Sequence, residues 1–453
     1  MTTLNTLESA ERSAESESLA ELSHSGGPSA SRTKKKVALF GHFGWGNFGN
    51  ESTFQAMLYY LRHVEPDAEF TCFCTGPENV AMTYGINAEP SRSTIVKPWM
   101  SQNTAVKWGR RIVIGIPSEI YRWLKSVVRL WGAEALIVPG TGVLTDAYTL
   151  LNWGPYDMFR WSVAAKLCRC KVLFVSVGAG PIYSRAGKFF VKAALSLADF
   201  RSYRDESTRQ YLKSIGYQTC DDPVYPDLAF SLPEDLAPRG QQKEGRRLVV
   251  GLGLMEYAGK YSVERPTDAT YSAYLETLAE FVTWLLARDY DVRLLIGDLV
   301  DVPVTKDFRS LLKQRSVTYE EGRIIDEPVA SVDDLLKQIA ATDFVVATRF
   351  HNVLLSLLLN KPSIAISFHH KCSSLMSQMG LSEYCQDINR LNAERLIEQF
   401  CDLEKNAETL KPLIKDKAEE FRRALDEQYE RILGVLRPEC QNNGDSLKAM
   451  TTR

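Results

Sequence analysis

Short apolar runs alternate with amphipathic stretches along this chain, and they do so in two separate series. That rhythm constrains the fold more than any single motif does. The first series opens with VALF at 37–40 and continues with strand-like runs at 69–74, 134–138, 171–177 and 199–203. Helical patterns lie between them at 51–63, 118–131, 155–167, 186–197 and 205–214. Short apolar runs that alternate with amphipathic helices predict parallel strands covered on both faces. The segment 231–247, SLPEDLAPRGQQKEGRR, then breaks the pattern, being polar, holding Pro and Gly and having no apolar period. A domain boundary belongs there. The second series starts with RLVVGLGL at 247–254 and adds strands at 291–296, 343–347 and 363–367. Its helices fall near 271–288, 304–315, 331–341 and 350–359. Two doubly wound units predict an α/β chain of two Rossmann-like domains facing each other across a cleft. Ligands of such sheets bind beyond the carboxyl ends of the strands, so function is expected in strand-end loops.

The expected organisation is a disordered tail over 1–33, an N-terminal domain over 34–240, a C-terminal domain over 241–390, and a helical segment with a frayed end over 391–453. The tail is rich in Ser, Glu and Ala. It holds too little apolar surface to offset chain entropy, beyond a transient helix near 7–22. A formal net charge of -2 gives no global basic field, so no nucleic-acid partner is expected. The nine cysteines form no regular framework and read as free thiols of a reducing compartment. Cys72 with Cys74, and Cys168 with Cys170, are spaced to share one face of a strand, which favours packing over a metal site. No metal site is expected. Residues 1–33 lack the pattern of a secretory leader, and no run of about 18 apolar residues is present. The longest candidate, 344–359, is interrupted by Arg349 and His351.

Four loops follow predicted strands in the first half. GHFGWGNFGNE, 41–51, is dense in Gly and Asn, and the helix after it is expected to start at Glu51 or Ser52. Its free N–H groups would favour an anion. Gly44, Asn47, Gly49 and Asn50 are therefore candidate binding residues. VPGTGVLTD, 138–146, offers Gly140 and Gly142, with Asp146 read as a helix cap. SVGAGPI, 176–182, offers Gly178. SYRDEST, 202–208, holds a natural N-cap in Asp205 and, just before it, Arg204, whose guanidinium suits a carboxylate or phosphate. In the second half, ATRFHNVLLSLLLNKPSIAISFHHK at 347–371 is the most informative stretch. Arg349 and His351 open an apolar helix whose positive pole disfavours cations, so their place there needs a reason other than helix stability. His369, His370 and Lys371 close the next strand. Two basic clusters at strand ends point to an anionic substrate.

The order of these motifs resembles the polysaccharide pyruvyl transferase family: a Gly-rich GNxG-acid loop, a glycine loop, GxGP, SxRDxS, and Arg-x-His before an apolar helix, a Pro-led strand and a Lys. The resemblance covers about residues 36–380. It implies a GT-B-like fold and transfer from phosphoenolpyruvate, as donor substrate and with no cofactor, to form a pyruvate ketal on a sugar of a cell-surface polysaccharide such as an exopolysaccharide. It places Arg204, Arg349, His351 and Lys371 at the donor, together with loop 44–51. Three departures stand out: Asn50 occupies a place that is usually acidic, with Glu51 next to it; the glycine loop reads Pro139-Gly140-Thr141-Gly142; and the tyrosine often found before the lysine is replaced in the FHHK run. Protonation of the donor needs a general acid, for which His351 is the first candidate and Glu51 the second. The implied acceptors are often lipid-linked oligosaccharides made at the inner membrane face. A cytoplasmic enzyme is expected, and the stretch 107–131, KWGRRIVIGIPSEIYRWLKSVVRLW, reads either as an amphipathic helix covering a sheet with snorkelling Arg and Lys or as a peripheral membrane contact. The alternatives are a GT-B glycosyltransferase using a nucleotide sugar and a non-catalytic phosphoenolpyruvate-binding protein.

Overall fold

A computed structural model describes residues 34–92, 111–146, 154–219, 221–233, 236, 245–257 and 268–437. The tail 1–33, the start of the 107–131 stretch and the end beyond 437 lie outside the described residues. The first sheet uses strands β1 (Lys36–Phe40), β2 (Glu69–Cys74), β3 (Asn87–Pro90), β4 (Ala135–Pro139), β5 (Lys171–Val177) and β6 (Phe200–Tyr203). They lie in the order β3-β2-β1-β4-β5-β6, all parallel. Its helices are α1 (Phe48–Val64), α2 (Pro77–Tyr84), α3 (Ile116–Leu130), α4 (Gly154–Leu167), α5 (Arg185–Ser196) and α6 (Glu206–Ser214).

The second sheet uses β7 (Val249–Leu254), β8 (Asp291–Ile296), β9 (Ile324–Ile325), β10 (Phe344–Ala347), β11 (Ser363–Ser367) and β12 (Cys385–Asp387), in the order β12-β11-β10-β7-β8-β9. It repeats the topology of the first. Helices α7 (Asp268–Ala287), α8 (Val302–Gln314), α9 (Val332–Ala340), α10 (Phe350–Leu358) and α11 (His370–Gln378) cover it. In each sheet the chain order reverses between two central strands, β1 and β4 or β7 and β10. The crevice at such a switch point is where ligands of open α/β sheets bind.

Strands β4, β7 and β11 are buried along their whole length, as the unbroken apolar runs require. One apolar core joins α1 and part of the first sheet to the second sheet. A separate core fills the space between the first sheet and α3, α4 and α5. Helices α12 (Ala393–Lys405) and α13 (Ala407–Leu436) follow. Helix α13 does not stand apart as a C-terminal appendage. Its Tyr429 stacks on Tyr60 at 3.9 Å between ring centres, and its Gln428 Oε1 accepts from Ser176 Oγ at 2.9 Å. Among the described residues no helix is long and apolar enough to cross a membrane.

Candidate active site

The first glycine loop fastens the two sheets together. Gly44 and Gly46 have φ of 85° and 78°, a region in which only glycine is comfortable. Asn47 Oδ1 accepts the Asn50 N–H at 3.1 Å and caps α1. That cap corrects the expected helix start: α1 begins at Phe48, because a good N-cap outweighs the cost of Gly49 in the first turn. Asn47 Nδ2 donates to Asp298 Oδ2 at 2.7 Å, and the backbone pairs Phe48 N with Gly297 O and Leu299 N with Gly46 O, at 3.1 and 2.9 Å. Asn50 Nδ2 donates to His42 O at 3.2 Å. These two side chains brace the loop.

Glu51 has the same kind of role, a correction to its place as second candidate acid. It is buried, its Oε1 accepts the Gly44 N–H at 2.6 Å, and its Oε2 accepts the Tyr84 hydroxyl at 3.3 Å. Burial pushes its carboxyl up, against the pull of the Gly44, Tyr84 and Trp45 donors. Helix geometry sets it about 200° around α1 from Gly49. Gly49 instead faces His351 of the other domain: a Cβ there would lie 2.0 Å from His351 Nδ1.

The loops after β4, β5 and β6 supply the next layer. Gly140 packs so closely on α1 that a Cβ would sit 2.8 Å from Thr53 Cβ. Thr141 holds φ at 67°, an uncommon state for a β-branched residue, and its buried Oγ1 has no hydrogen-bond partner. The Thr141 carbonyl accepts the Gly178 N–H at 2.8 Å, and a Cβ at Gly178 would lie 2.7 Å from Arg204 Nη2. Asp146 pins the start of α5, accepting Tyr183 N–H at 2.8 Å and Ser184 Oγ at 2.6 Å, where a cap on its own helix was expected.

Arg204 is buried, lies over the Phe350 ring at 5.4 Å, and donates from Nη1 to Asp227 Oδ2 at 3.2 Å. Its Nε and Nη2 are buried without a hydrogen-bond partner. Its Nε faces Asp205 Oδ2 at 3.6 Å, too long for a hydrogen bond, so two carboxylates flank the guanidinium and Nη2 is left open. Asp205 caps α6 through Thr208 N at 2.6 Å, as expected from its place before the helix.

Asp227 is the residue that the motif reading missed. It sits in YPDLAF, ahead of the polar break, and the available signal was an acid set against Leu228, Ala229 and Phe230. Its Oδ2 lies 3.6 Å from His351 Nε2, on the far side of the imidazole from Gly49. Burial alone would raise its carboxyl. His351, Arg204 and the Ala229 N–H outweigh that and hold it down at about 2.

On the second sheet, Arg349 commits Nε and Nη2 to Asp301 at 2.8 and 2.6 Å. Asp301 is fully buried and also accepts the Glu256 N–H at 2.8 Å. Arg349 thus holds the loop after β8 that carries Asn47's partner, Asp298. His351 follows on the first turn of α10. Asn352 is fully buried between Gly253 and Gly297, and neither of its amide atoms is partnered. His369 caps α11, and burial together with Lys371, His370 and Arg204 drives its imidazole down to about 3. His370 lies at the exposed rim, with Nε2 3.0 Å from Ser207 Oγ. Lys371 Nζ approaches Gly142, whose Cβ would lie 3.5 Å away. Burial and then Arg204 lower its ammonium to about 8, against the pull of Asp205, Cys372 and Asp227.

The structure therefore brings together Thr141, Arg204, Asp227, His351 and Lys371, with the Gly142 and Gly178 backbone beside them. It sets Asn47, Asn50 and Glu51 behind the loop, and Arg349 in a pair with Asp301. Among the described residues no group of three His, Cys, Asp or Glu is placed to hold a metal. The cluster can bind a multiply charged anion and offers an imidazole with a carboxylate behind it.

Solved structures share this architecture at low identity. A UDP-N-acetylglucosamine 2-epimerase from Listeria monocytogenes matches with a TM-score of 0.55 at 13% identity, over 88% of this chain and 98% of that one. The Neisseria meningitidis enzyme of the same name, bound to UDP-GlcNAc, gives 0.54 at 11%, over 89% and 99%. A glycosyltransferase from Rickettsia africae gives 0.52 at 13%, over 91% and 100%. At these identities the likeness establishes the GT-B-like fold alone. The family model for polysaccharide pyruvyl transferase matches residues 47–370, from the cap of α1 to the start of α11. On that match over most of its length, the chain belongs to the polysaccharide pyruvyl transferase family.

Proposed function

We propose that this protein transfers the enolpyruvyl carbons of phosphoenolpyruvate onto two hydroxyls of a sugar, forming a pyruvate ketal and releasing phosphate. The observation that carries this reading is the cluster at the carboxyl ends of the two sheets: Arg204 Nη2 and Thr141 Oγ1, buried without a hydrogen bond, beside the His351–Asp227 pair. Phosphoenolpyruvate carries a carboxylate and a phosphate, and Arg204 with Lys371 supplies the matching charge. The Gly142 and Gly178 turns let backbone approach the phosphate closely.

In this mechanism His351 gives its proton to C3, turning the methylene into a methyl and C2 into an oxocarbenium-like centre. Asp227 fixes the ring from the Nε2 side. One sugar hydroxyl adds to C2 and its proton returns to the imidazole. The C2–O bond to phosphate breaks, the second hydroxyl adds, and its proton leaves with the phosphate. Two C–O bonds form, one C–O bond breaks, and no redox change is needed.

The test combines binding and turnover. Phosphoenolpyruvate should raise the Tm of wild type and of His351→Gln by mass action, and should do so weakly for Arg204→Lys. Phosphate release should require both a sugar diol and His351. Stabilisation by UDP-GlcNAc alone, with no acceptor-dependent phosphate release, would overturn the proposal in favour of a nucleotide-sugar enzyme.

A further inference from the structure

Helix α3 presents an apolar line to solvent. Ile120, Leu124 and Val128 are 56%, 62% and 73% exposed, Ile116 continues the line one turn earlier, and Trp131 at the end is 74% exposed. The spacing of four places these residues on one face. The opposite face is occupied, since Trp123 Nε1 donates to Tyr156 OH at 2.9 Å and Ser126 and Leu130 are buried. The line is therefore surplus to the fold. It continues sideways through an aromatic chain, Trp123 to Phe159 at 6.3 Å and Phe159 to Phe189 at 6.5 Å, to the exposed Phe189 on α5.

The acids described near this surface are tied up, Glu89 with Arg129 and Asp146 with the cap of α5, which leaves cations as its unpaired charges. Lys125, Arg185 and Lys188 make no ion pair among the described residues. The one acid on α3, Glu119, is turned inward onto Arg122 and Tyr156. An apolar stripe with Trp and Tyr at its margin and unpaired cations beside it matches a surface of anionic lipid: the stripe enters the acyl boundary and the cations meet the headgroups. A protein partner of ordinary composition would not call for cations alone.

We infer that the outer face of α3 and α5 docks the protein on an anionic membrane surface. Helices that follow parallel strands start at the strands' carboxyl end, so the first turns of α3 and α5 lie at the same end of the sheet as the Gly140–Gly142 and Gly178 loops. The apolar line runs the whole length of α3, so docking lays this side of the first sheet on the membrane, with Ile116 at the end that carries those loops. The docking itself does not depend on the proposed chemistry.

The experiment is co-sedimentation of the full chain with vesicles, run without substrate. Vesicles of phosphatidylcholine with phosphatidylglycerol should retain the protein roughly tenfold better than phosphatidylcholine alone, and salt should weaken the retention. Ile120→Ser with Leu124→Ser should abolish retention on both vesicles while leaving Tm and phosphate release with a soluble acceptor intact. Lys125→Glu with Lys188→Glu should remove only the preference for anionic lipid. Weak retention that is equal on both vesicles overturns the inference. So does a concentration-dependent dimer that the Ile120/Leu124 double variant dissolves without any vesicle binding, since this face would then join two copies of the chain.

Discussion

Asp227 shows how much of the site depends on one buried carboxylate. It contacts Arg204 and His351, which come from different domains, and both help to hold it ionised at about 2. Asp227→Asn keeps the shape and removes the charge, so phosphoenolpyruvate turnover should fall by roughly 10²-fold or more, with a smaller change in binding. Steady-state kinetics with a diol acceptor would check this, and an unchanged kcat would reduce Asp227 to packing. Lys371 gives a second prediction at this scale. Its ammonium loses charge near pH 8, so affinity for the multiply anionic donor should fall as pH rises through about 8. The folded state binds fewer protons than the unfolded chain from about 8 up to its ordinary 10.5, so wild type should gain stability against Lys371→Met over that window while losing affinity. Lys371→Arg should flatten the binding profile. Arg204, His351 and Lys371 were legible in the sequence because strand-end cations have few structural reasons to be there. Asp227 and Thr141 were not, because their significance comes from burial, an unpaired hydroxyl and neighbours distant in sequence.

At the scale of elements, the sequence pattern located strands such as 69–74, 171–177, 291–296 and 363–367 with their observed limits. Buried parallel strands are continuous apolar runs, so their pattern is strong. The short edge strands β3, β9 and β12 went unread, because a sheet edge carries few apolar residues and takes its form from the neighbouring strand. Helix α11 was hidden for a similar reason: HKCSSLMSQ has little apolar period and is started by the His369 cap. The joint between elements was also unreadable. Arg349 suggests a ligand contact by sequence, yet its fork fits Asp301, which was never singled out. Asp301→Ala should destabilise the protein by about 3–5 kcal/mol, because it leaves a buried guanidinium without its partner. Asn47→Ala should cost about 1 kcal/mol from the lost cap, and should also loosen the Asp298 contact. Chemical denaturation reads both. If Asp301→Ala left stability unchanged and only weakened donor binding, Arg349 would belong to the ligand site.

Across the whole molecule, the two sheets are predicted to behave as one folding unit, and α13 is the reason. A boundary near residue 240 describes where the chain passes from one sheet to the other, but the apolar core does not stop there. It runs from α1 and β1 through the second sheet to Ile414, Leu425, Tyr429 and Ile432 of α13. Tyr429 stacks on Tyr60 of α1, Tyr60 OH donates to the Tyr429 carbonyl at 3.0 Å, and Arg437 pairs with Glu65. Gln428 accepts from Ser176 Oγ and Ser202 Oγ, at the ends of β5 and β6, one residue before the turn to Arg204. The last helix is thus a clamp on the first sheet that begins on the second. A chain ending at Asn406 would expose Tyr60, Phe230 and the facing apolar surface, and would free the strand ends that position Arg204. Full-length protein should unfold in one calorimetric transition; the shortened chain should show a lower Tm, binding of a hydrophobic dye, and a weaker response to phosphoenolpyruvate. Two independent transitions in the full-length chain, or a shortened chain with unchanged Tm and ligand response, would mean that the sheets fold separately and that α13 is only a cover. The volume-conserving substitution Gln428→Met separates the two effects, since it keeps the buried side chain's bulk in the clamp and removes the hydrogen bonds to Ser176 and Ser202. If those bonds position Arg204, that variant should lose donor affinity with little loss of Tm.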